Sequence, residues 1–168
     1  PSVAFAETLP RVQIGMLAFL GDELSADAWA PMIERLQTQL PHYQFELLAL
    51  DHAGLAHRAA HGELEFILTN PGHYVELEAT LGASRLLTLH NLATDPARAL
   101  GSTVVVRRDS PLTQLDDLRR QRVALTTREG FGGYQMLWRE LAELDITPEK
   151  AFSEWLEVAK TAIKALGR

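Results

Sequence analysis

Two turns in this chain carry residue types that bind small anions or polar solutes. The first is the segment Thr69–Tyr74 (TNPGHY), which follows an apolar, strand-like run over 64–68 and leads into a helical pattern. Pro71 suits the first turn of a helix, where backbone N–H groups have no partner inside the helix. Such N–H groups and the positive end of the helix dipole attract anions. Asn70 and Tyr74 add polar side chains, so the segment predicts a ligand-binding surface.

The second turn is Gly130–Tyr134 (GFGGY), which follows another strand-like run over 122–127. Glycines allow a ligand to approach the backbone N–H groups at a helix start. Phe131 and Tyr134 would then supply an aromatic wall and a hydroxyl. A structural alternative stays open, in which the glycines permit tight packing, Phe131 lies in the core and Tyr134 on a helix face. Two strand-to-helix turns of this kind predict two lobes that close on one ligand.

The remaining polar residues form no catalytic pattern. His57 and His61 are four residues apart, but the glutamate of a metalloprotease helix is missing between them and no third ligand is evident, so solvent-facing histidines are the better interpretation. His73 is either an anion contact or a surface residue. Neither a nucleophile elbow nor a phosphate-binding P-loop occurs. We therefore expect no catalytic activity, no metal and no cofactor.

The composition is that of an ordinary globular protein, with 168 residues, 46% of them hydrophobic and 23% charged. The net charge of −6, without a basic stripe, argues against nucleic acid as a partner. Cysteine is absent, which excludes disulfides and thiol catalysis. Residues 1–6 end in the Ala4-x-Ala6 pattern that a signal peptidase reads. They are either a signal-peptide remnant before a mature start at Glu7 or an apolar tail with alanines by chance.

Strand and helix patterns alternate along the chain, which predicts an α/β fold with mostly parallel sheets. Asp51 is the predicted N-cap of one helix, Gly82 the stop signal of another, and Thr113-x-x-Asp116 a capping box. The predicted strands lie near 12–17, 45–50, 64–69 and 85–91 in a first lobe and near 102–107 and 122–126 in a second.

Four segments follow from these patterns. They are the possible signal remnant at 1–6, a first α/β lobe at 7–95, a partial second lobe at 96–151 and a C-terminal amphipathic helix at 152–168. In that last segment the apolar residues recur at helical spacing, with acidic residues early and basic residues late, as a helix dipole favours. A further helix is predicted to start at Thr147-Pro148.

With these segments in hand, the chain resembles the phosphate/phosphonate-binding branch of the type II periplasmic binding proteins. It is most similar to the version found as the extracytoplasmic sensor domain of membrane histidine kinases of the tetrathionate-sensor type. The segments that carry the resemblance are 66–79, 82–85 and 130–141, in order and at the expected spacing. The resemblance implies two lobes with the ligand in the cleft between them, and a fold whose second half is truncated here.

The function implied by the resemblance is that of a periplasmic ligand-sensing domain, with a solute-binding protein of a phosphonate/oxyanion ABC transporter as the alternative. Phosphonate transporters place hydroxyl residues before the Gly-Tyr pair, whereas Gly130-Phe131-Gly132 stands here, which favours another small anion or polar solute. The implied partners are that ligand and a membrane-anchored parent protein, and homodimer formation is left open. The implied binding residues are Ala18, Phe19, Thr69, Asn70, Tyr74, Thr127, Gly130, Phe131, Gly132, Gly133 and Tyr134.

Overall fold

The computed structural model describes residues 9–18, 22–90, 92–95, 100–125, 127–147 and 151–157. The signal remnant predicted at 1–6, the candidate residue Phe19, the helix start at Pro148 and the residues 158–168 of the predicted C-terminal helix lie outside these ranges. The chain divides into two compact units, Pro1–Ala83 and Ser84–Arg168. This division falls before the boundary that the sequence predicts between 95 and 96.

The first unit is built on a three-stranded parallel sheet. Its strands are β1 (Arg11–Leu17), β2 (Gln44–Leu50) and β3 (Phe66–Leu68), in the order β2-β1-β3. Strand β1 pairs with β2 over seven positions and with β3 over three. A central strand in a parallel sheet is covered on both faces, which explains why β1 is apolar and why its second half is buried. The first three predicted strands are confirmed.

Three helices connect and cover these strands: α1 (Asp22–Gln39), α2 (His52–Ala60) and α3 (Pro71–Leu81). The Asp51 carboxylate accepts a hydrogen bond from the Gly54 N–H at 2.8 Å and so caps α2, as predicted. Gly82 ends α3 in the left-handed conformation with φ +70, also as predicted. A Cβ at Gly15 would lie 2.6 Å from side-chain carbons of Leu55 and Leu64, so the absence of a side chain lets these residues pack directly on β1.

The second unit has a two-stranded parallel sheet of β4 (Arg122–Leu125) and β5 (Glu154–Glu157), in which Val123 is opposite Trp155. A 3₁₀ helix (Leu115–Leu118) precedes β4. A π-helical turn (Phe131–Gln135) follows β4 and continues directly into α4 (Met136–Glu143). The core of this unit is formed by Leu118, Leu137, Leu141, Ile146 and Phe152.

The capping box predicted at Thr113 and Asp116 is wrong by one position. Gln114 is the N-cap, and the Asp117 carboxylate accepts hydrogen bonds from the Thr113 N–H at 2.8 Å and the Gln114 N–H at 3.1 Å. These two backbone donors, Thr113 first, hold the pKa of Asp117 below its ordinary value. The sequence offered two acidic residues in the same turn, and only the backbone geometry distinguishes them.

Two predicted strands are absent from the described part of the chain. Residues 85–90 and 102–107 have no regular secondary structure, and Leu87 and Val105 are 86% and 84% exposed. Both segments have residues that favour strands, but a strand exists only where a neighbour pairs with its N–H and C=O groups. None of the described strands lies beside either segment in a ladder.

The amphipathic helix predicted at 152–168 is also wrong over its first turn. Residues 154–157 form β5 and pair with β4 along its whole length. Apolar residues at 152, 155 and 156 fit a helical stripe equally well, so local spacing could not distinguish the two conformations. Among the helices that the structure describes, none combines the length and the apolar character needed to cross a membrane.

Candidate ligand-binding site

The first predicted turn is a strand-to-helix junction whose geometry depends on Asn70. Strand β3 ends at Leu68, Asn70 has an extended backbone, and α3 begins at Pro71. The Asn70 Oδ1 atom accepts a hydrogen bond from the His73 N–H at 2.9 Å. This is an N-cap, because it satisfies one of the backbone donors that the first turn of a helix leaves unpaired. The junction predicted from sequence is confirmed, and Asn70 serves first to fix the helix start.

His73 is buried at this junction, so the surface position considered from sequence is wrong. The residue is only 2% exposed, and its Nδ1 atom lies 2.8 Å from the Thr69 hydroxyl. The His52 ring stands edge-on to the His73 ring, with centroids 4.9 Å apart. Burial, followed by the proximity of His52, lowers the pKa of His73, while Glu76 acts in the opposite direction. The imidazole is therefore neutral at neutral pH.

Helices α2 and α3 meet at this cluster of Thr69, Asn70, His73 and His52. His52 is the first residue of α2, and its Nε2 atom is 3.4 Å from the Asn70 amide nitrogen. The two helix starts are neighbours because β2 and β3 run parallel on either side of β1, and parallel strands bring their carboxyl ends to one edge of the sheet. His52 was not among the site residues predicted from sequence, although its position directly after the Asp51 cap was a usable signal.

The two other described site residues that the sequence predicts in the first unit, Tyr74 and Ala18, have polar groups that are bonded within the unit. Tyr74 donates its hydroxyl hydrogen bond to the Glu78 carboxylate at 2.5 Å along the surface of α3. Ala18 is buried directly after β1, and its N–H donates to the Leu50 carbonyl at 2.8 Å. Thus Tyr74 lies at the junction with its hydroxyl partnered by its own helix, and Ala18 contributes backbone.

The second predicted turn is confirmed as a strand-to-helix junction with an unusual start. The N–H groups of Tyr134 and Gln135 both donate to the Gly130 carbonyl, at 2.9 and 3.1 Å, which produces the π-helical turn. The Gly130 N–H donates to the Thr127 carbonyl at 3.2 Å, and the Thr127 hydroxyl contacts the Glu129 carboxylate. Single π-turns are uncommon and occur often at functional sites.

The glycines of this turn are not explained by a left-handed backbone. Among the described residues, the glycines with positive φ are Gly62 and Gly82. A Cβ at Gly132 would meet the Leu100 side chain at 3.5 Å, an ordinary contact, and the Gly132 carbonyl accepts a hydrogen bond from the Ser102 hydroxyl. Gly133 is exposed, whereas Phe131 is half-buried. Two explanations for a glycine at position 132 therefore remain, packing against Leu100 and close approach of a ligand. The approach of a ligand stays a prediction.

An aromatic cluster stands beside this turn that the sequence analysis did not foresee. The Trp155 ring meets Tyr134 edge-on with centroids 5.3 Å apart, and meets Phe152 edge-on at 4.8 Å. The guanidinium carbon of Arg128 lies 5.9 Å from the centre of the Trp155 ring. Trp155 was assigned to a helix outside the site, and only its pairing with β4 brings it to Tyr134. No local signal in the sequence could have shown that.

The described residues offer polar and aromatic contacts, and no metal centre. His57 and His61 lie with ring centroids 4.3 Å apart, but the His61 Nδ1 atom is 2.7 Å from the His57 carbonyl. Within the described part of the chain, no group of three His, Cys, Asp or Glu residues could hold a metal ion. Both junctions are helix starts that follow parallel strands, a position at which proteins commonly bind anions or polar solutes. Ligand binding at these two junctions stays a prediction.

Parallel strands followed by helices, in two separate units, place the chain in the α/β fold class. Two solved structures share the fold. One is a binding protein component of an ABC phosphonate transporter from Pseudomonas aeruginosa, with TM-score 0.62, 16% identity, and coverage of 95% of this chain and 54% of that chain. The other is a Xanthomonas citri protein bound to chloride ion, with TM-score 0.62, 18% identity, and coverage of 93% of this chain and 60% of that chain.

The sequence assigns the family within this class. A profile described as "ABC transporter, phosphonate, periplasmic substrate-binding protein" matches residues 14–166, and the chain belongs to this family. The chain is also 30% identical over 141 residues to the tetrathionate sensor histidine kinase TtrS of Salmonella typhimurium. That match covers 83% of this chain and 24% of TtrS, so the chain spans only part of the length of these relatives. The resemblance stated from sequence is confirmed.

Proposed function

We propose that this chain is a ligand-sensing domain of a periplasmic sensor histidine kinase, and that it acts by binding rather than by catalysis. The observation that carries the proposal is the similarity to the sensor kinase TtrS over most of this chain. A binding domain of this kind would be displayed on the periplasmic side of a membrane-anchored parent protein. The family profile also supports a second function, a substrate-binding protein of an ABC transporter.

The ligand that suits both junctions is a small anion or polar solute. Each junction places the positive end of a helix after a parallel strand, and anions bind favourably at that position. We assign ligand binding to the turn that Asn70 and Tyr74 frame in the first unit and to Gly130–Tyr134 in the second. Tetrathionate and a phosphonate are the first compounds to test, because the name of the relative contains tetrathionate and the description of the family contains phosphonate.

A thermal-shift screen tests binding directly. The panel is tetrathionate, methylphosphonate, phosphate, sulfate and chloride, each at increasing concentration with the full chain. A ligand that binds only the folded state adds about 2.7 kcal/mol at a concentration of 100 Kd. In a chain of this size that stabilisation raises Tm by roughly 5–10 °C. Absence of any concentration-dependent shift across the panel would contradict this ligand class.

The length of the gene and the identity of its neighbours distinguish the two functions. A reading frame that continues from this domain into a transmembrane helix and a kinase domain supports the sensor. A single binding domain encoded beside permease and ATPase genes supports the transporter component and would overturn the sensor proposal.

A further inference from the structure

His73 is a buried titratable side chain at the first junction, and ligand binding gives no reason for its burial. It is the third residue of α3. Its Nδ1 atom lies 2.8 Å from the Thr69 hydroxyl, and its backbone N–H donates to the Asn70 Oδ1 atom at 2.9 Å. The side chain and the backbone of His73 therefore both hold the start of α3 to the turn that precedes it.

His52 contributes to the same arrangement from the start of α2. Its ring stands edge-on to the His73 ring, with centroids 4.9 Å apart. Because the Asn70 Oδ1 atom accepts from the His73 N–H, the amide nitrogen of Asn70 is the atom that faces His52, at 3.4 Å from its Nε2 atom. This contact is a hydrogen bond only when Nε2 carries no proton, since an imidazolium has donors alone. The histidine cluster of Thr69, Asn70, His73 and His52 thus suits two neutral rings.

A proton on His73 would meet little compensating charge. His52 is the first residue of α2 and His73 the third of α3, so both lie at the positive ends of helix dipoles, which disfavour a cation. Burial, followed by His52, lowers the pKa of His73, and Glu76 on α3 opposes this. The Asp51 carboxylate before α2 accepts from the Gly54 N–H at 2.8 Å. The described ends of β1, β2 and β3, from which these helices follow, are apolar.

We propose that the histidine cluster is a proton-sensitive contact between the starts of α2 and α3. With His73 neutral, the cluster holds the two helix starts together at the edge of the sheet. His73 takes up a proton only when the junction opens, so the start of α3 separates from α2 more often in mildly acidic solution, while β1 and β2 stay paired. This inference goes beyond the proposed function, because the cluster responds to pH whether or not a ligand binds at the junction.

Amide hydrogen exchange of the full chain, followed by NMR at pH 7.5 and 5.5, measures this opening directly. The protection factor of each amide, its intrinsic rate divided by its observed rate, removes the direct effect of pH on exchange. An imidazole exposed to water takes up its proton near pH 6.5, so one proton that only the open state accepts favours opening about tenfold more at pH 5.5 than at pH 7.5. We therefore expect the protection of the His73 N–H to fall about tenfold. The amides of β1 and β2 should stay at least about tenfold better protected than the His73 N–H at pH 5.5.

Three variants test which group takes up the proton. His73→Gln keeps a side chain that can hydrogen-bond to Thr69 but has no group that titrates in this range, so the protection at position 73 should change by less than about twofold. Asn70→Asp places a carboxylate beside both rings, which lets the closed state hold a proton, so the fall should shrink to about threefold or less. His57→Gln is the matched control, since His57 is an exposed histidine of the same helix α2. It should keep the fall of about tenfold that we expect in wild type.

The proposal is overturned if the wild-type His73 N–H keeps its protection at pH 5.5, or if His73→Gln loses as much protection as wild type. It is also overturned if the amides of β1 and β2 are no better protected than the His73 N–H at pH 5.5, because the whole unit then opens at once.

A pH titration of wild-type NMR signals needs no variant. The signals of the His73 ring and of the His73 N–H should shift together below about pH 6.5. A His73 ring that titrates while its own N–H signal stays in place overturns the proposal. None of these outcomes bears on the proposed function, because the thermal-shift screen tests ligand binding separately.

Discussion

Replacement of Asn70 by alanine should destabilise the protein because it removes the N-cap of α3. Asn70 is only 9% exposed, and its Oδ1 atom is the acceptor for the His73 N–H at 2.9 Å. Loss of an N-cap costs about 0.5–2 kcal/mol, and a buried donor left unpaired costs about 1–3 kcal/mol. The two figures describe the same lost hydrogen bond and are not summed, so we expect about 1–2 kcal/mol.

Asn70→Asp tests the capping hydrogen bond separately from the contact that the side-chain amide makes with His52. The carboxylate keeps an acceptor for the His73 N–H, and a negative charge at a helix start interacts favourably with the dipole. It loses the amide nitrogen that faces His52 Nε2, but the tautomer of His52 that carries a proton on Nε2 can donate to the new oxygen. We therefore expect Asn70→Asp to recover at least half of the stability that Asn70→Ala loses.

The measurement is urea denaturation at pH 7.5, followed by far-ultraviolet circular dichroism and extrapolated linearly to water. Thr80→Ala on the same helix is the control, because its exposed hydroxyl only donates back to the Glu76 carbonyl. It should change the free energy of unfolding by less than about 0.5 kcal/mol. The reasoning is refuted if Asn70→Ala is as stable as this control, or if Asn70→Asp is as unstable as Asn70→Ala.

Three further predictions concern groups whose roles the structure defines. Because the folded-state pKa of His73 is lowered, the unfolded chain binds more protons below about pH 6.5. The stability that His73 contributes should therefore be fully present above that pH and be lost as the pH drops through it. The free energy of unfolding, measured by urea titration, should differ less between pH 7.5 and pH 5.5 in His73→Gln than in wild type. Gly15→Ala should cost about 1–3 kcal/mol in the same assay, because its Cβ would overlap Leu55. Gly82→Ala should cost about 1 kcal/mol through its positive φ, and a thermal melt equal to wild type would contradict that.

The first unit was largely predictable because its signals are local. An apolar strand, the capping Asp51 and the terminal Gly82 each act within a few residues, and the structure has all three where the sequence placed them. The same logic failed for Trp155, because a stripe of apolar residues satisfies a helix or a buried strand equally well. Pairing with Val123, more than thirty positions away in sequence, decides the conformation.

The candidate site was predictable only in outline. Sequence located both strand-to-helix junctions, since Pro71 and the glycines of 130–133 mark them. It could not show that His73 is buried beside His52, or that Leu100 occupies the space next to Gly132. Both facts depend on contacts between segments that are distant in the chain, and residue type alone carries no information on them.

The unequal ladders of the first sheet have a consequence for how the proposed ligand-binding edge moves. Strand β1 is tied to β2 over seven residue pairs but to β3 over only three. Backbone amides of β3 and of the α3 start should therefore exchange with solvent through openings that leave β1 and β2 intact. A ligand bound at the α3 start would make these openings rarer, so ligand binding would slow amide exchange at this edge of the sheet. The sheet thus combines a rigid pair, β1 and β2, with a more mobile edge strand, β3, and ligand binding would change the motion of that edge.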